Sequence, residues 1–112
     1  MQAGDSLWDM VWDNKIDDSL DLQSMSCRLR LITSGLKVAG RFEGPVLGVS
    51  RDARFLGTMI PSNKTSLLLL QQEEANYTCV YQMQVLEGGR LSGVWHDTLG
   101  RKGDVELRRV DR

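Results

Sequence analysis

The sequence predicts an all-β protein, a small antiparallel up-and-down meander of strands that closes into a barrel. Two observations indicate this fold. Apolar and polar residues alternate with period two through most of the chain. Three of these segments, at 38–42, 55–59 and 91–95, also share the pattern apolar–x–Gly–x–apolar, with glycines 17 and then 36 residues apart. Because a glycine inside a strand usually marks a tight bend in a coiled sheet, and closure removes exposed edges, we expect a barrel.

Length and composition fit one soluble domain. The chain has 112 residues, of which 41% are hydrophobic and 26% charged, with a net charge of −1. These values are typical of ordinary globular proteins. The longest apolar run, 67–70, is far shorter than a membrane span, and the N-terminus has no signal-peptide pattern. We therefore expect a cytoplasmic protein that does not enter a membrane.

The N-terminal segment, residues 1–24, allows two interpretations. Ser6 to Asp9 resembles a helix capping box. Four apolar residues fall near one helical face: Trp8, Val11, Trp12 and Ile16. A short helix and a first strand both remain open, because short apolar runs do not decide between them. Leu20 and Leu22 alternate with polar residues, as in a strand. In either case we expect this segment to pack on a barrel formed by residues 25–112.

The rest of the chain reads as strands separated by turns. We predict strands over 27–31, 36–42, 53–60, 65–72, 77–85, 91–96 and 104–110. Turn chemistry separates them at 33–35, 61–64 and 87–90. The last of these turns contains Gly88 and Gly89, which accept positive φ without strain. The elements therefore follow one another as hairpins.

A meander with an early tryptophan and a basic residue on its last strand resembles the calycin barrels, the group that includes lipocalins and avidins. The run 35–42 also looks like an avidin strand, as does 91–95. The resemblance implies a barrel that binds a small, often apolar ligand in its interior. It further implies an N-terminal tryptophan packed on a C-terminal arginine, a part that Trp8 or Trp12 could play with Arg108 or Arg109.

Five aromatic residues share the phase that faces the barrel interior: Phe42, Phe55, Tyr77, Tyr81 and Trp95. They either line a ligand cavity or fill the core, since barrels of about eight strands do both. Filling is the simpler alternative for so short a chain. As ligand contacts, these residues are our candidate binding site.

A second apolar surface falls on the opposite phase. Leu67 to Leu70 are apolar on both faces of their strand. Other apolar residues also lie opposite the core phase, including Leu56, Ile60, Val80 and Val94. Because a barrel in water should carry polar residues outside, this surface suggests a partner. We predict a homodimer, with interface residues Leu56, Leu68, Leu70, Val80 and Val94.

The sequence has no residue pattern typical of catalysis, of metal or cofactor binding, or of nucleic-acid binding. His96 is the only histidine, and its neighbour Asp97 should point to the opposite face of the strand. No zinc spacing or phosphate loop occurs, so we expect no metal, no cofactor and no catalysis. The basic residues of the first hairpin have no aromatic residues between them, which argues against nucleic acid. In the cytosol, Cys27 and Cys79 are expected to be buried free thiols.

Two functions therefore remain open. The first is a non-enzymatic protein that holds a small apolar or amphipathic ligand in a calycin-like barrel. The alternative is an oligomeric structural or interaction module whose barrel is fully packed. The interior distinguishes them, because a void of several hundred Å³ lined by Tyr77, Tyr81 and Trp95 favours ligand binding, whereas a filled core excludes it.

Overall fold

Eight antiparallel strands close into a barrel in sequence order, which confirms the predicted fold class. The computed structural model describes residues 4–13, 24–43 and 53–110. The strands are β1 (Gly4–Asp13), β2 (Ser24–Ser34), β3 (Lys37–Glu43), β4 (Arg54–Ile60), β5 (Leu67–Glu74), β6 (Tyr77–Leu86), β7 (Arg90–Asp97) and β8 (Lys102–Arg109). Each strand pairs with its neighbours in the chain, and β1 pairs with β8 to complete the ring.

The N-terminal segment is a strand over its described part, which decides between the two open interpretations in favour of a first strand there. Trp8, Met10 and Trp12 face inward on β1, while Asp9 and Val11 face solvent. This period of two fits the pleat, and pairing with β2 and β8 satisfies the backbone of β1 on both sides. β1 is therefore a strand of the barrel itself. The predictions for 16–22 lie outside the described residues.

Two of the recurring glycines, Gly57 and Gly93, sit where the backbone of a neighbouring strand leaves no room for a side chain. A Cβ added to Gly93 would collide with the carbonyl group of Gln82, and one on Gly57 with the carbonyl oxygen of Leu69. Both obstacles are backbone atoms of the adjacent strand. Glycine at these two positions thus lets the sheet coil tightly enough to close.

The core lies inside the barrel and consists of the side chains at alternating positions of the strands. Its most deeply buried members include Met10, Leu29, Phe55, Met83 and Leu107, each 1% exposed or less. Aromatic residues occupy one end of this interior, next to the β5–β6 and β7–β8 turns. The other end, next to the β2–β3, β4–β5 and β6–β7 turns, carries mainly aliphatic and small side chains, with Trp8 as its aromatic residue among those that line a cavity there.

Two of the predicted interface residues belong to this core, and their assignment to the outer surface was wrong. Leu68 and Leu70 are 2% and 1% exposed. They lie opposite Met59 and Gly57, the inward positions of β4. A run of four leucines carries no alternation of its own, so only pairing with β4 decides which two face the interior.

Candidate functional site

A cavity of about 470 Å³ opens at the end of the barrel next to the β2–β3, β4–β5 and β6–β7 turns. We call it the mouth cavity. Its walls are inward-facing apolar side chains: Leu31, Val38, Met59, Leu68, Val85 and Leu91. Trp8 of β1 completes the wall, and Ser6, Thr33 and Arg109 contribute polar groups. The site is thus an apolar pocket with a small number of polar groups.

The hollow follows from the sizes of the inward side chains along the barrel. Near the mouth the inward positions carry Gly4, Ser6, Thr33 and Val38. At the other end they carry tryptophan, phenylalanine and tyrosine. The same eight strands enclose both ends of the barrel. At the aromatic end the large side chains fill the enclosed space, whereas at the mouth the smaller side chains leave part of it empty.

The polar groups beside Trp8 are mostly satisfied within the wall. The Trp8 indole Nε1 donates to Ser6 Oγ over 2.8 Å, and the Ser6 hydroxyl donates to the Leu31 carbonyl over 3.4 Å. Thr33 Oγ1 donates to the Gly4 carbonyl, also over 3.4 Å. These bonds fix the rim and leave few hydroxyl groups available for a ligand.

Trp8 and Arg109 occupy paired positions on β1 and β8. This is the strand arrangement that the calycin resemblance implied for a tryptophan and an arginine. However, the described residues include no ring contact between the two. Arg108 lies opposite Asp9 instead, and Trp12 lies opposite Val105.

The five predicted ligand contacts lie at the opposite end of the barrel. Phe42 and Phe55 meet edge to face with ring centroids 5.0 Å apart, and Phe55 lies 6.0 Å from Tyr81. Phe55 is 1% exposed, and Tyr81 and Trp95 are each 5% exposed. The five residues all belong to the core or pack against it, and none lines the mouth cavity. Their role as ligand contacts stays a prediction.

Hydrogen bonds hold the polar atoms of this aromatic end. The Tyr81 hydroxyl donates to Gln72 Oε1 over 2.6 Å, and the Tyr77 hydroxyl to Asp97 Oδ2 over 2.9 Å. The Trp95 indole Nε1 donates to the Asp13 carbonyl over 2.7 Å. Gln72 was not among the predicted interior residues, although Gln72 keeps the inward phase of Leu70 two residues earlier.

Asp97 is the charged member of this end. Burial alone would raise its pKa, but hydrogen bonds from the Arg101 backbone, the Tyr77 hydroxyl and the Arg101 guanidinium together lower it. The Arg101 Nε lies 2.9 Å from Asp97 Oδ2. Asp97 is therefore an ionised anchor for the β7–β8 turn.

Cys27 and Cys79 are free thiols that face the interior. Burial, with a smaller contribution from Asp9, raises the pKa of Cys27 to about 12. Burial also raises the pKa of Cys79 to about 11, against hydrogen bonds with Tyr81 and Tyr77. Both thiols are protonated at neutral pH, and a protonated thiol is a poor nucleophile.

His96 lies on the outer face of β7, while Asp97 is inward. The adjacent pair is thus split between two faces of the strand. In the described part of the chain, no three His, Cys, Asp or Glu side chains gather in a way that could hold a metal ion. That part also has no helix long and apolar enough to cross a membrane.

Apolar residues lie on the outer face of six neighbouring strands, interspersed with polar residues such as Gln71 and Gln82, and we call these apolar residues the outer stripe. It comprises Ile32, Ala39, Leu56, Leu69, Val80 and Val94. Ile32 pairs with Ala39, and Ala39 with Leu56. Leu56 is 59% exposed, Ile32 49% and Val94 47%. The outward positions of Leu56, Val80 and Val94 therefore agree with the sequence analysis, whereas Leu69 takes the place expected for Leu68 and Leu70.

Comparison with known proteins supports the fold alone. A solved structure described as a redesigned β-barrel matches with a TM-score of 0.66 and 14% sequence identity, over 95% of this chain and 90% of that chain. No family model matches the sequence, and no curated protein is significantly similar to it. A small eight-stranded antiparallel barrel is therefore shown, while membership of the calycin group stays a prediction.

Proposed function

We propose that this protein is a non-enzymatic binding protein that holds a small apolar or amphipathic molecule in the mouth cavity. The observation that carries the proposal is the cavity itself, about 470 Å³ of space inside the barrel wall. Ligand pockets usually enclose about 300–1,000 Å³ and are mainly apolar with a small number of polar groups. The mouth cavity matches this description in both size and lining.

The walls favour a flexible apolar chain over a polar molecule. Leu31, Leu68 and Leu91 are each 3% exposed or less, yet they border the cavity. A ligand that displaces water from them gains roughly 0.8 kcal/mol for each methylene it buries. Affinity in a series of linear alcohols should therefore rise about fourfold per methylene until the cavity is full.

A titration with linear alcohols from hexanol to decanol tests this function. We expect the affinity, measured by calorimetry or by amide chemical shifts, to rise along the series. Val85→Phe should reduce the affinity for the longest alcohol about tenfold, because the half-buried Val85 lines the cavity and a larger side chain would occupy it. The matched control is Val94→Phe, a valine on the outer face that should leave binding unchanged.

Two results would contradict the proposal. One is the absence of binding by any alcohol up to its solubility limit. The other is equal affinity in wild type and a folded Val85→Phe variant, because the ligand would then lie outside the mouth cavity. Circular dichroism of both variants would check that their folds are intact.

The outer stripe favours a second function, an interaction module that forms a homodimer. Besides its apolar residues, the stripe borders Arg54 and Glu73, which lie opposite each other on β4 and β5. Arg54 has no ion pair within the described residues. A twofold axis between these strands would set Arg54 of one copy against Glu73 of the other, with Leu56 and Leu69 between them. The face is thus complementary to itself in charge and in hydrophobicity.

Light scattering after size exclusion tests the homodimer. We expect the wild type to have twice the mass of one chain and Leu56→Glu to be a monomer, because the carboxylate would be buried in the interface. Leu99→Glu is the matched control, since Leu99 is 66% exposed in the β7–β8 turn, away from the stripe. A monomeric wild type would exclude this dimer without affecting the ligand proposal.

A further inference from the structure

Arg109 occupies an unusual position for a charged residue. It is the last residue of β8 and keeps the inward phase of Val105 and Leu107, which are 3% and 0% exposed. Residues of that phase point toward the barrel axis, and Arg109, although exposed at the end of the strand, lines the mouth cavity. The strand therefore ends with a basic residue at the entrance of an apolar pocket.

The backbone holds Arg109 in this place from two sides. Its N–H donates to the Gly89 carbonyl over 2.8 Å, and the next N–H, of Val110, donates to the Leu7 carbonyl over 2.8 Å. A Cβ on Gly89 would lie 3.1 Å from the Arg109 Cβ. The β6–β7 turn thus packs closely on Arg109, which anchors the base of its side chain at the rim.

Neighbouring charges do not neutralise Arg109. Asp5 also borders the cavity, but its carboxylate pairs with Arg30 over 2.9 Å. Glu106 pairs with Arg108 over 2.9 Å. Within the described residues, Arg109 itself has neither an ion pair nor a side-chain hydrogen bond. Its donors are available to a ligand in the cavity.

We propose that the ligand is an anionic amphiphile, a linear carboxylic acid whose carboxylate pairs with Arg109 while its chain enters the mouth cavity. This inference rests on the proposed function and adds the charge and orientation of the ligand. A guanidinium presents a planar fork of donors that matches a carboxylate, and such charged hydrogen bonds are about twice as strong as neutral ones. The chain end would then contact Leu31, Leu68 and Leu91 deeper in the barrel.

Three probes with the same chain and different head groups test the proposal: decanoate, decan-1-ol and decylammonium. We expect wild type to bind decanoate about tenfold more tightly than decanol, and decylammonium more weakly than either. Arg109→Gln should reduce the affinity for decanoate to that for decanol and leave the affinity for decanol unchanged. Arg109 lies at the rim, where salt screens its charge. Raising the salt concentration should therefore also reduce the ratio of the affinity for decanoate to the affinity for decanol.

The matched control is Arg90→Gln. Arg90 begins β7 at the same end of the barrel, but it faces outward and does not line the cavity. Both variants lose one positive charge, so an equal loss of decanoate affinity would mean a general electrostatic effect and overturn the proposal. Equal affinity of wild type for decanoate and decanol would overturn it too, while leaving the proposed function intact. Binding of none of the three probes would reject the proposed function together with this inference.

Discussion

Gly93→Ala is expected to lower the free energy of unfolding by about 3 kcal/mol or more. The added Cβ would meet the Gln82 carbonyl group and the Met83 Cα on the adjacent strand β6. Backbone atoms cannot rotate away as a side chain can, so β6 and β7 would have to separate and their hydrogen bonds would lengthen. Chemical denaturation followed by circular dichroism measures the loss.

Other glycines of the barrel provide a graded comparison. Gly57→Ala should also be strongly destabilising, because its Cβ would meet the Leu69 carbonyl oxygen. Gly40→Ala should have a smaller effect, since the nearest atom is the movable Leu31 Cδ2 at 2.8 Å. Gly4→Ala is the control, with no atom within 4 Å, and should change stability by less than about 0.5 kcal/mol. Equal stability of the Gly93 and Gly4 variants would contradict the close strand approach.

Phe55→Ala is expected to lower the free energy of unfolding by about 3–5 kcal/mol. Phe55 is 1% exposed and packs against the rings of Phe42 and Tyr81. Removal of its ring would leave a cavity that these neighbours cannot fill without giving up their own contacts. The same denaturation experiment measures this change.

Leu56→Ala is the matched control, one residue further along β4 and on the outer face. Leu56 is 59% exposed, so its truncation should change the stability of a single chain by less than about 0.5 kcal/mol. The measurement belongs at low protein concentration, where any dimer is dissociated. If Phe55→Ala were no more destabilising than Leu56→Ala, the ring would not fill the core, and its predicted contact with a ligand would gain support.

The fold was predictable because its signals are local. Alternation along each strand predicts which residues share a face, and the pattern around Gly40, Gly57 and Gly93 predicts a coiled sheet. Both depend on neighbours within a few residues. The N-terminal strand was left open for the same reason: Trp8, Val11 and Trp12 fit a helical face, and only the pairing partners on β2 and β8 decide in favour of a strand.

The candidate site depends on relations between distant segments, so it could not be derived in the same way. The phase of Leu68 and Leu70 is fixed by their partners on β4. The mouth cavity includes small residues of β1, β2 and β3, namely Gly4, Ser6, Thr33 and Val38, and their meeting at one end of the barrel depends on the register of these strands. Arg109 was visible as a basic residue on the last strand, but its place at a cavity entrance follows only from the cavity.

The pairing of β1 with β8 affects how the barrel can form. Met10 lies opposite Leu107, so the final ladder joins segments nearly the whole chain apart. Until β8 has been synthesised, β1 can pair on its β2 side only and presents a bare row of amide and carbonyl groups on the other. A nascent chain stalled before β8 would therefore expose an unpaired strand edge, which could pair with other nascent chains on the same polysome. Ring completion, a slow nonlocal step, removes that hazard only after β8 has been synthesised.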